Sequence, residues 1–269
     1  MIPAGVQRTG SARLDEILRS VAERRARTSV VPTALAPVQR AGPFKAALGA
    51  PGLSVIAECK RRSPSAGPLA SVPDVAALCT RYKKGGAAAF SILTERDHFG
   101  GDPEDLRTAS ALGLPCLRKD FVIDVGMVHE AAALGASAVL LIAVCLEDGL
   151  LADLADAAHA QGLATLVEIH DEDELERALR VEPDCLGINA RDLRTFEVDL
   201  ARTCALLPRI PSGPIRVAES GIRTAADAAR VRAAGADAVL VGEALVRSTT
   251  PEALIEQFQT ANGGVDLAP

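Results

Sequence analysis

The sequence predicts one α/β domain: a single (β/α)8 TIM barrel with an N-terminal helical extension. A hidden period is the first observation behind this. Gly86-Ala87-Ala88-Ala89-Phe90, Gly135-Ala136-Ser137-Ala138-Val139 and Gly235-Ala236-Asp237-Ala238-Val239 each follow an Ala-rich helical pattern. Each then gives a Gly helix stop, an Ala and a short apolar run. Gly86 and Gly135 lie 49 residues apart, and Gly135 and Gly235 lie 100 apart. Those distances are two and four units of about 25 residues, a helix plus a strand with short loops. The second observation is that eight short apolar runs alternate with helical patterns, most of the runs being continuous, as expected of strands covered on both faces. The third is composition. Of 269 residues 48% are hydrophobic but only 3% aromatic, with no Trp, one Tyr and six Phe. Such a core is aliphatic, which suits a barrel filled by layers of branched side chains.

The elements follow in order. Residues 1–50 form an extension with one amphipathic helix, about 12–26, and a Pro-containing stretch after it. The barrel spans 51–260, and 261–269 is a polar tail. Its strands are predicted at 54–58, 88–93, 115–119, 138–142, 163–168, 185–189, 215–219 and 238–241. Helical patterns lie between them at 72–84, 103–112, 125–134, 146–161, 172–180, 200–207 and 224–234. An open doubly wound sheet is the rival, but it wants a G-x-G-x-x-G turn after the first strand, and none is there.

Composition also excludes function classes. A net charge of −6 with so few aromatics disfavours nucleic-acid binding. The longest apolar run, 139–146, is far short of the ~20 residues of a membrane span. The first residues show no basic region followed by an apolar run, so a cytoplasmic protein is expected. The six cysteines form no C-x-x-C pair and read as small buried thiols. The four histidines are scattered without ligand spacing, so no metal site is expected. No partner-binding heptad or long exposed apolar helix stands out, and a monomer is the expectation.

In a barrel the chemistry collects at the C-terminal strand ends. Those ends read Ile56-Ala57-Glu58-Cys59-Lys60, Leu117-Arg118-Lys119-Asp120, Leu166-Val167-Glu168, Ile188-Asn189-Ala190-Arg191, Ala218-Glu219-Ser220-Gly221 and Val241-Gly242-Glu243. Residues i and i+2 of a strand face the same side. Glu58 and Lys60 therefore share a face, as do Asn189 and Arg191, while Cys59 turns away if Glu58 points inward. The loops after the last two strands commonly bind phosphate through backbone N–H groups. Here Ser220-Gly221 and Gly242-Glu243 supply glycines for close approach and a serine hydroxyl. Lys60-Arg61-Arg62 and Arg191 would give such an anionic ligand a cationic mouth. Phe99 and Phe121 are candidates for an apolar wall beside it.

These residues resemble the indole-3-glycerol phosphate synthase family over about 14–246. The most specific segment is Ile56-Ala57-Glu58-Cys59-Lys60-Arg61-Arg62-Ser63-Pro64-Ser65, similar to the family signature I-A-E-x-K-R-x-S-P-S. Supporting segments are Ser91-Ile92-Leu93-Thr94-Glu95, Leu117-Arg118-Lys119-Asp120-Phe121, Leu166-Val167-Glu168-Ile169-His170, Gly187-Ile188-Asn189-Ala190-Arg191-Asp192-Leu193 and Ala218-Glu219-Ser220-Gly221-Ile222. The resemblance implies closure of an indole ring on a small anionic sugar phosphate, with loss of carbon dioxide and water and with no cofactor or metal. It implies Lys119 as general acid, Lys60 and Glu58 in the later dehydration, and Glu168 as a further acid/base carboxylate. Asn189, Ser63 and Ser220 match positions of the family's catalytic set. Arg191 and Lys60 would hold the substrate carboxylate. Ser220, Gly221 and the Gly242–Glu243 backbone would hold the phosphate, with Glu219 beside them.

Neighbouring cations such as Arg118, Lys60 or Arg191 would lower the Lys119 pKa, while Glu58 and Glu168 would oppose them. The sequence departs from the family at Glu243, where Ser or Thr is usual, at Ala190, at Asp124-Val125-Gly126-Met127 and over 28–41. Two other readings stand beside this one. A phosphoribosylanthranilate isomerase would use a Cys at the first strand end and an Asp near the sixth. A non-catalytic barrel would only bind sugar phosphates.

Overall fold

The computed structural model describes residues 3–27, 42–63, 67–68, 74–193, 195 and 197–261. The poorly matching segment 28–41, Pro64-Ser65 of the signature and all but Ala261 of the expected tail lie outside them. Eight parallel strands close into a barrel: β1 (Ser54–Cys59), β2 (Ala89–Leu93), β3 (Cys116–Lys119), β4 (Ala138–Ile142), β5 (Ala164–Ile169), β6 (Cys185–Asn189), β7 (Ile215–Glu219) and β8 (Ala238–Val241). Each strand pairs with its neighbours in sequence, and β1 pairs with β8 from Ser54–Ala238 to Ala57–Val241, which closes the ring. Nearly every strand residue is buried, because helices cover the outside and side chains fill the inside. The predicted strands all appear, displaced by a residue at most at either end.

The helices are α1 (Ala12–Arg27), α2 (Gly42–Leu48), α3 (Val75–Lys84), α4 (Pro103–Ser110), α5 (Val125–Ala133), α6 (Asp148–Ala160), α7 (Glu172–Leu179), α8 (Leu200–Leu206), α9 (Ala225–Ala233), α10 (Glu243–Arg247) and α11 (Pro251–Thr260). Their starts are written in the sequence. Asp74, Asp102, Asp124, Asp171, Asp199 and Thr224 each cap a helix by accepting a backbone N–H with the side chain. The Asp124 cap, accepting the Met127 N–H, starts α5 at Val125. Gly135 and Gly235 sit at positive φ just past α5 and α9, where they turn the chain into the next strand.

The structure adds three helices that the sequence reading did not place. α2 occupies the end of the Pro-containing stretch, and α10 and α11 follow β8. A short antiparallel ladder, Arg62–Ser63 with Gly67–Pro68, stands after β1 outside the barrel. The amphipathic α1 buries Leu14, Ile17, Leu18, Val21 and Ala22. Its last turn is tied to the loops after β2 and β3: Arg24 reaches Glu95 at 3.3 Å and Asp97 at 2.8 Å, and Arg25 reaches Asp124 at 2.9 Å. Among the described residues no helix is long and apolar enough to cross a membrane.

Candidate active site

Barrel interiors are filled in layers of four side chains drawn from alternate strands. The last inward-facing positions of β1, β3, β5 and β7 are Glu58, Lys119, Glu168 and Glu219, so the layer at the C-terminal mouth is ionisable throughout. Lys119 Nζ donates to Glu168 Oε2 at 2.7 Å and to Glu219 Oε2 at 3.2 Å. Asn189 Nδ2 donates to Glu168 Oε1 at 2.9 Å, while Asn189 Oδ1 accepts the Arg191 N–H at 3.0 Å. Those two contacts together fix the orientation of the amide. Glu58 Oε1 lies 2.9 Å from Lys60 Nζ, as the shared strand face requires. Two glycines make room for the carboxylates: a Cβ at Gly187 would run into Glu219 Oε1, and one at Gly242 into Glu58 Oε1.

The charges tune one another. Burial alone would pull the Lys119 pKa down, but Glu168, Glu219 and Glu58 outweigh it and hold the ammonium above the usual lysine range. Arg118 plays no part in this. Its side chain faces the surrounding helices, bonded to Thr94, Asp120 and the Met127 carbonyl, so the expectation that it lowers the Lys119 pKa is corrected. Burial would push Glu168 up, yet Lys119, His170 and the Asn189 hydrogen bond bring it down to about 2. Glu219 goes the other way: burial pushes it up to about 8 against the pull of Lys119, with Glu168 adding to the rise.

This layer floors a cavity of about 410 Å³. One wall carries Phe99 and Phe121, whose ring centroids lie 6.0 Å apart, with Ile142, Leu140 and Leu193 nearby. Phe99 is held by the buried Glu95, whose carboxylate accepts the N–H groups of Asp97, His98 and Phe99 at 3.0, 2.8 and 3.0 Å. Another wall is made by Ser220, Gly221, Gly242 and Glu243. Ser220 and Gly221 both take positive φ, 64° and 77°, which turns the chain sharply after β7. Glu243 pairs with Arg247 one turn along α10, its Oε1 3.1 Å from the guanidinium.

Thirteen of the residues singled out from the sequence therefore meet at one cavity: Glu58, Lys60, Lys119, Glu168, Asn189, Ser220, Arg191, Glu219, Gly221, Gly242, Glu243, Phe99 and Phe121. The Ser63 side chain lies outside the described residues. Two expected cations are elsewhere. Arg61 is drawn away by Asp105, and Arg62 stands exposed in the short ladder. Arg223 and Arg247 join Lys60 and Arg191 on the cavity wall instead, and sequence reasoning missed both. Cys59 packs outward with its Sγ 3.3 Å from Cys79 Sγ of α3, so it offers no thiol to the mouth. Among the described residues no cluster of His, Cys, Asp and Glu is arranged to hold a metal ion.

The chain is 44% identical over 258 residues to the indole-3-glycerol phosphate synthase of Mycobacterium avium (strain 104), which covers 96% of this chain and 92% of that one. It is 46% identical over 255 residues to the enzyme of that name from Mycobacteroides abscessus, covering 92% and 94% of the two chains. Among solved structures, 3-hexulose-6-phosphate synthase from Salmonella typhimurium superposes with a TM-score of 0.62 at 12% identity, over 78% of this chain and 98% of that one. The N-acetylmannosamine-6-phosphate 2-epimerase of Clostridium perfringens does so with a TM-score of 0.57 at 20% identity, over 71% and 86%. At such identities these two speak for the barrel alone. The profile of the indole-3-glycerol phosphate synthase family matches residues 14–258, and the chain belongs to that family.

Proposed function

We propose that the chain closes the indole ring of tryptophan biosynthesis, converting 1-(2-carboxyphenylamino)-1-deoxyribulose 5-phosphate to indole-3-glycerol phosphate, carbon dioxide and water. The observation that carries this reading is the Lys119 ammonium, held between Glu168 and Glu219 at the floor of a cavity with an aromatic wall. The ring carbon bearing the carboxylate attacks the ketone, and the ketone oxygen becomes an alkoxide. An alkoxide is a stronger base than an amine, so the Lys119 proton moves to it as the carbon–carbon bond forms. Loss of carbon dioxide restores the aromatic ring. The new hydroxyl then leaves as water, which needs one group to protonate it and another to take a proton. Glu58 on β1, with Lys60 just after it, and Glu168 on β5 face each other across the barrel and serve those two tasks.

Phe99 and Phe121 receive the anthranilate ring. Lys60 and Arg191 take its carboxylate. Ser63 belongs to the same catalytic set by its place in the signature. Ser220, Gly221 and the Gly242–Glu243 backbone hold the phosphate, joined on that wall by Arg223 and Arg247. Glu219, its pKa pushed up by burial and by Glu168, takes up a proton more readily than its neighbours, which eases the approach of a doubly anionic substrate. The protein acts as a monomer in the cytoplasm. Six free thiols, five of them buried, suit a reducing compartment.

The test is to add the anilino-deoxyribulose phosphate and follow indole fluorescence. Product should appear against a protein that has no Trp. Substrate bound without turnover would overturn the reading in favour of a binding barrel. Turnover of phosphoribosylanthranilate instead would point to the isomerase.

A further inference from the structure

We propose that His170 is a positioning residue for this reaction, anchored by Glu174 so that its Nε2 backs the Glu168 carboxylate and keeps it ionised while Lys119 gives up its proton. The inference rests on the ring-closing function proposed above.

His170 follows β5 directly and is 4% exposed. Glu174 Oε2 accepts its backbone N–H at 2.8 Å and lies 3.1 Å from its Nδ1. Glu174 is itself buried in the first turn of α7, where its own N–H bonds the capping Asp171 side chain at 2.9 Å. The double contact fixes Nδ1 as a donor and aims Nε2 along the strand face shared with Glu168. Nε2 stands 3.7 Å from Glu168 Oε1 and has no hydrogen-bond partner among the described residues. His170 is not among the residues lining the cavity, so it touches Glu168 rather than a substrate.

The charged groups facing the ring come from three elements. Glu174 lies on α7, Glu168 on β5, and Asp192 in the loop after β6, with Lys119 of β3 beyond Glu168. Burial pulls the imidazole pKa down, but the Glu174 hydrogen bond and these carboxylates outweigh it and raise it. An imidazolium here has a definite consequence. When Lys119 passes its proton to substrate, Glu168 loses the cation 2.7 Å away. In a buried site an unpaired carboxylate captures a proton. With His170 behind it, Glu168 stays available as the base of a later step.

The experiment compares the parent protein with His170→Gln and Glu174→Gln. In His170→Gln a larger share of Glu168 captures a proton once Lys119 has given up its own, and kcat falls by up to about tenfold. KM changes little, and the acid limb of the kcat–pH profile moves to higher pH, because Glu168 then ionises at higher pH. In the parent, the nitrogen-15 ring resonances of His170, assigned by their loss in the variant, titrate above the ordinary histidine value. In Glu174→Gln that titration moves down and the acid limb follows the same direction as in His170→Gln. A parent that turns over substrate, with a His170→Gln variant keeping its kcat and acid limb, overturns the proposal. If His170→Gln does not fold, an unshifted limb and ring titration in Glu174→Gln overturn it equally. A parent that makes no indole product overturns the functional reading itself, which is a separate outcome.

Discussion

Lys119 is the residue on which the chemistry turns. Lys119→Met is expected to lower kcat by ~10²-fold or more, the usual worth of a general acid. Substrate affinity should survive within a few-fold, because the ring, carboxylate and phosphate contacts lie elsewhere in the cavity. Equilibrium binding and turnover on the same sample check this, and a wild-type kcat would remove Lys119 from the role of acid. Gly187→Ala is a second expectation at this scale. Its Cβ would drive Glu219 off its place beside Lys119, so kcat should fall at least tenfold, about 1.4 kcal/mol of barrel-mouth geometry. Steady-state kinetics at constant folded fraction measure it. Part of this site was legible from strand ends and strand parity, and the rest from the resemblance of its motifs. Glu58 and Lys60 were placed on one face by counting, and they form an ion pair. Arg223 and Arg247 were not legible, because one lies in an irregular loop and the other ends a helix of five residues, too short to show a period. The displacement of Arg61 and Arg118 had a common cause. Arg61 found Asp105 and Arg118 found Asp120 and Glu130, each drawing the guanidinium away from Lys119, and sequence order does not reveal such partners.

At the scale of elements, Glu95 joins two pieces that are far apart in sequence. The loop after β2 hangs on it by three backbone N–H groups, and Arg24 of α1 reaches the same carboxylate. Hydrogen bonds to a charged group contribute about 1.5–3 kcal/mol each, so Glu95→Ala should loosen the segment that carries Phe99. The expected result is a KM raised about tenfold or more, the equivalent of at least about 1.4 kcal/mol, together with a lower Tm. Arg24→Ala should raise KM less, since the backbone contacts of Glu95 remain. Kinetics and thermal melts of both variants decide the order. The eight strands and the helices between them were readable because most units repeat a common grammar: an Asp or Thr caps α3, α4, α5, α7, α8 and α9, and a Gly at positive φ follows α3, α4, α5, α6 and α9. α2 and α10 were not, being seven and five residues long. α11 begins with Pro251 at its first turn, a good start signal, but it follows two Thr residues in a stretch with no strand to announce it.

The whole molecule should carry the signature of Glu219 in its pH dependence. Its folded pKa, about 8, lies above the ordinary value of 4.5, so between these values the folded chain holds a proton that the unfolded chain has released. Stability then falls as pH rises through that window, by up to about 1.4 kcal/mol per pH unit from this one group. Glu168 acts at the other end. Its pKa is depressed to about 2, so its contribution is full above 4.5 and is lost as pH falls toward 2. Glu219→Gln should therefore flatten the decline between about pH 4.5 and 8 and be more stable than the parent at pH 8, with little difference at pH 5. Urea unfolding at the two pH values measures it, and parallel curves for parent and variant would contradict it.

Closure of the ring by pairing β1 with β8 also bears on how the chain is made. Synthesis proceeds from the N-terminus, and β8 is completed only at Val241. Until then a growing chain with seven strands has two open sheet edges, each a row of unpaired backbone groups able to recruit another chain. Truncations just before Ala238 should be the forms of this protein that most need chaperones.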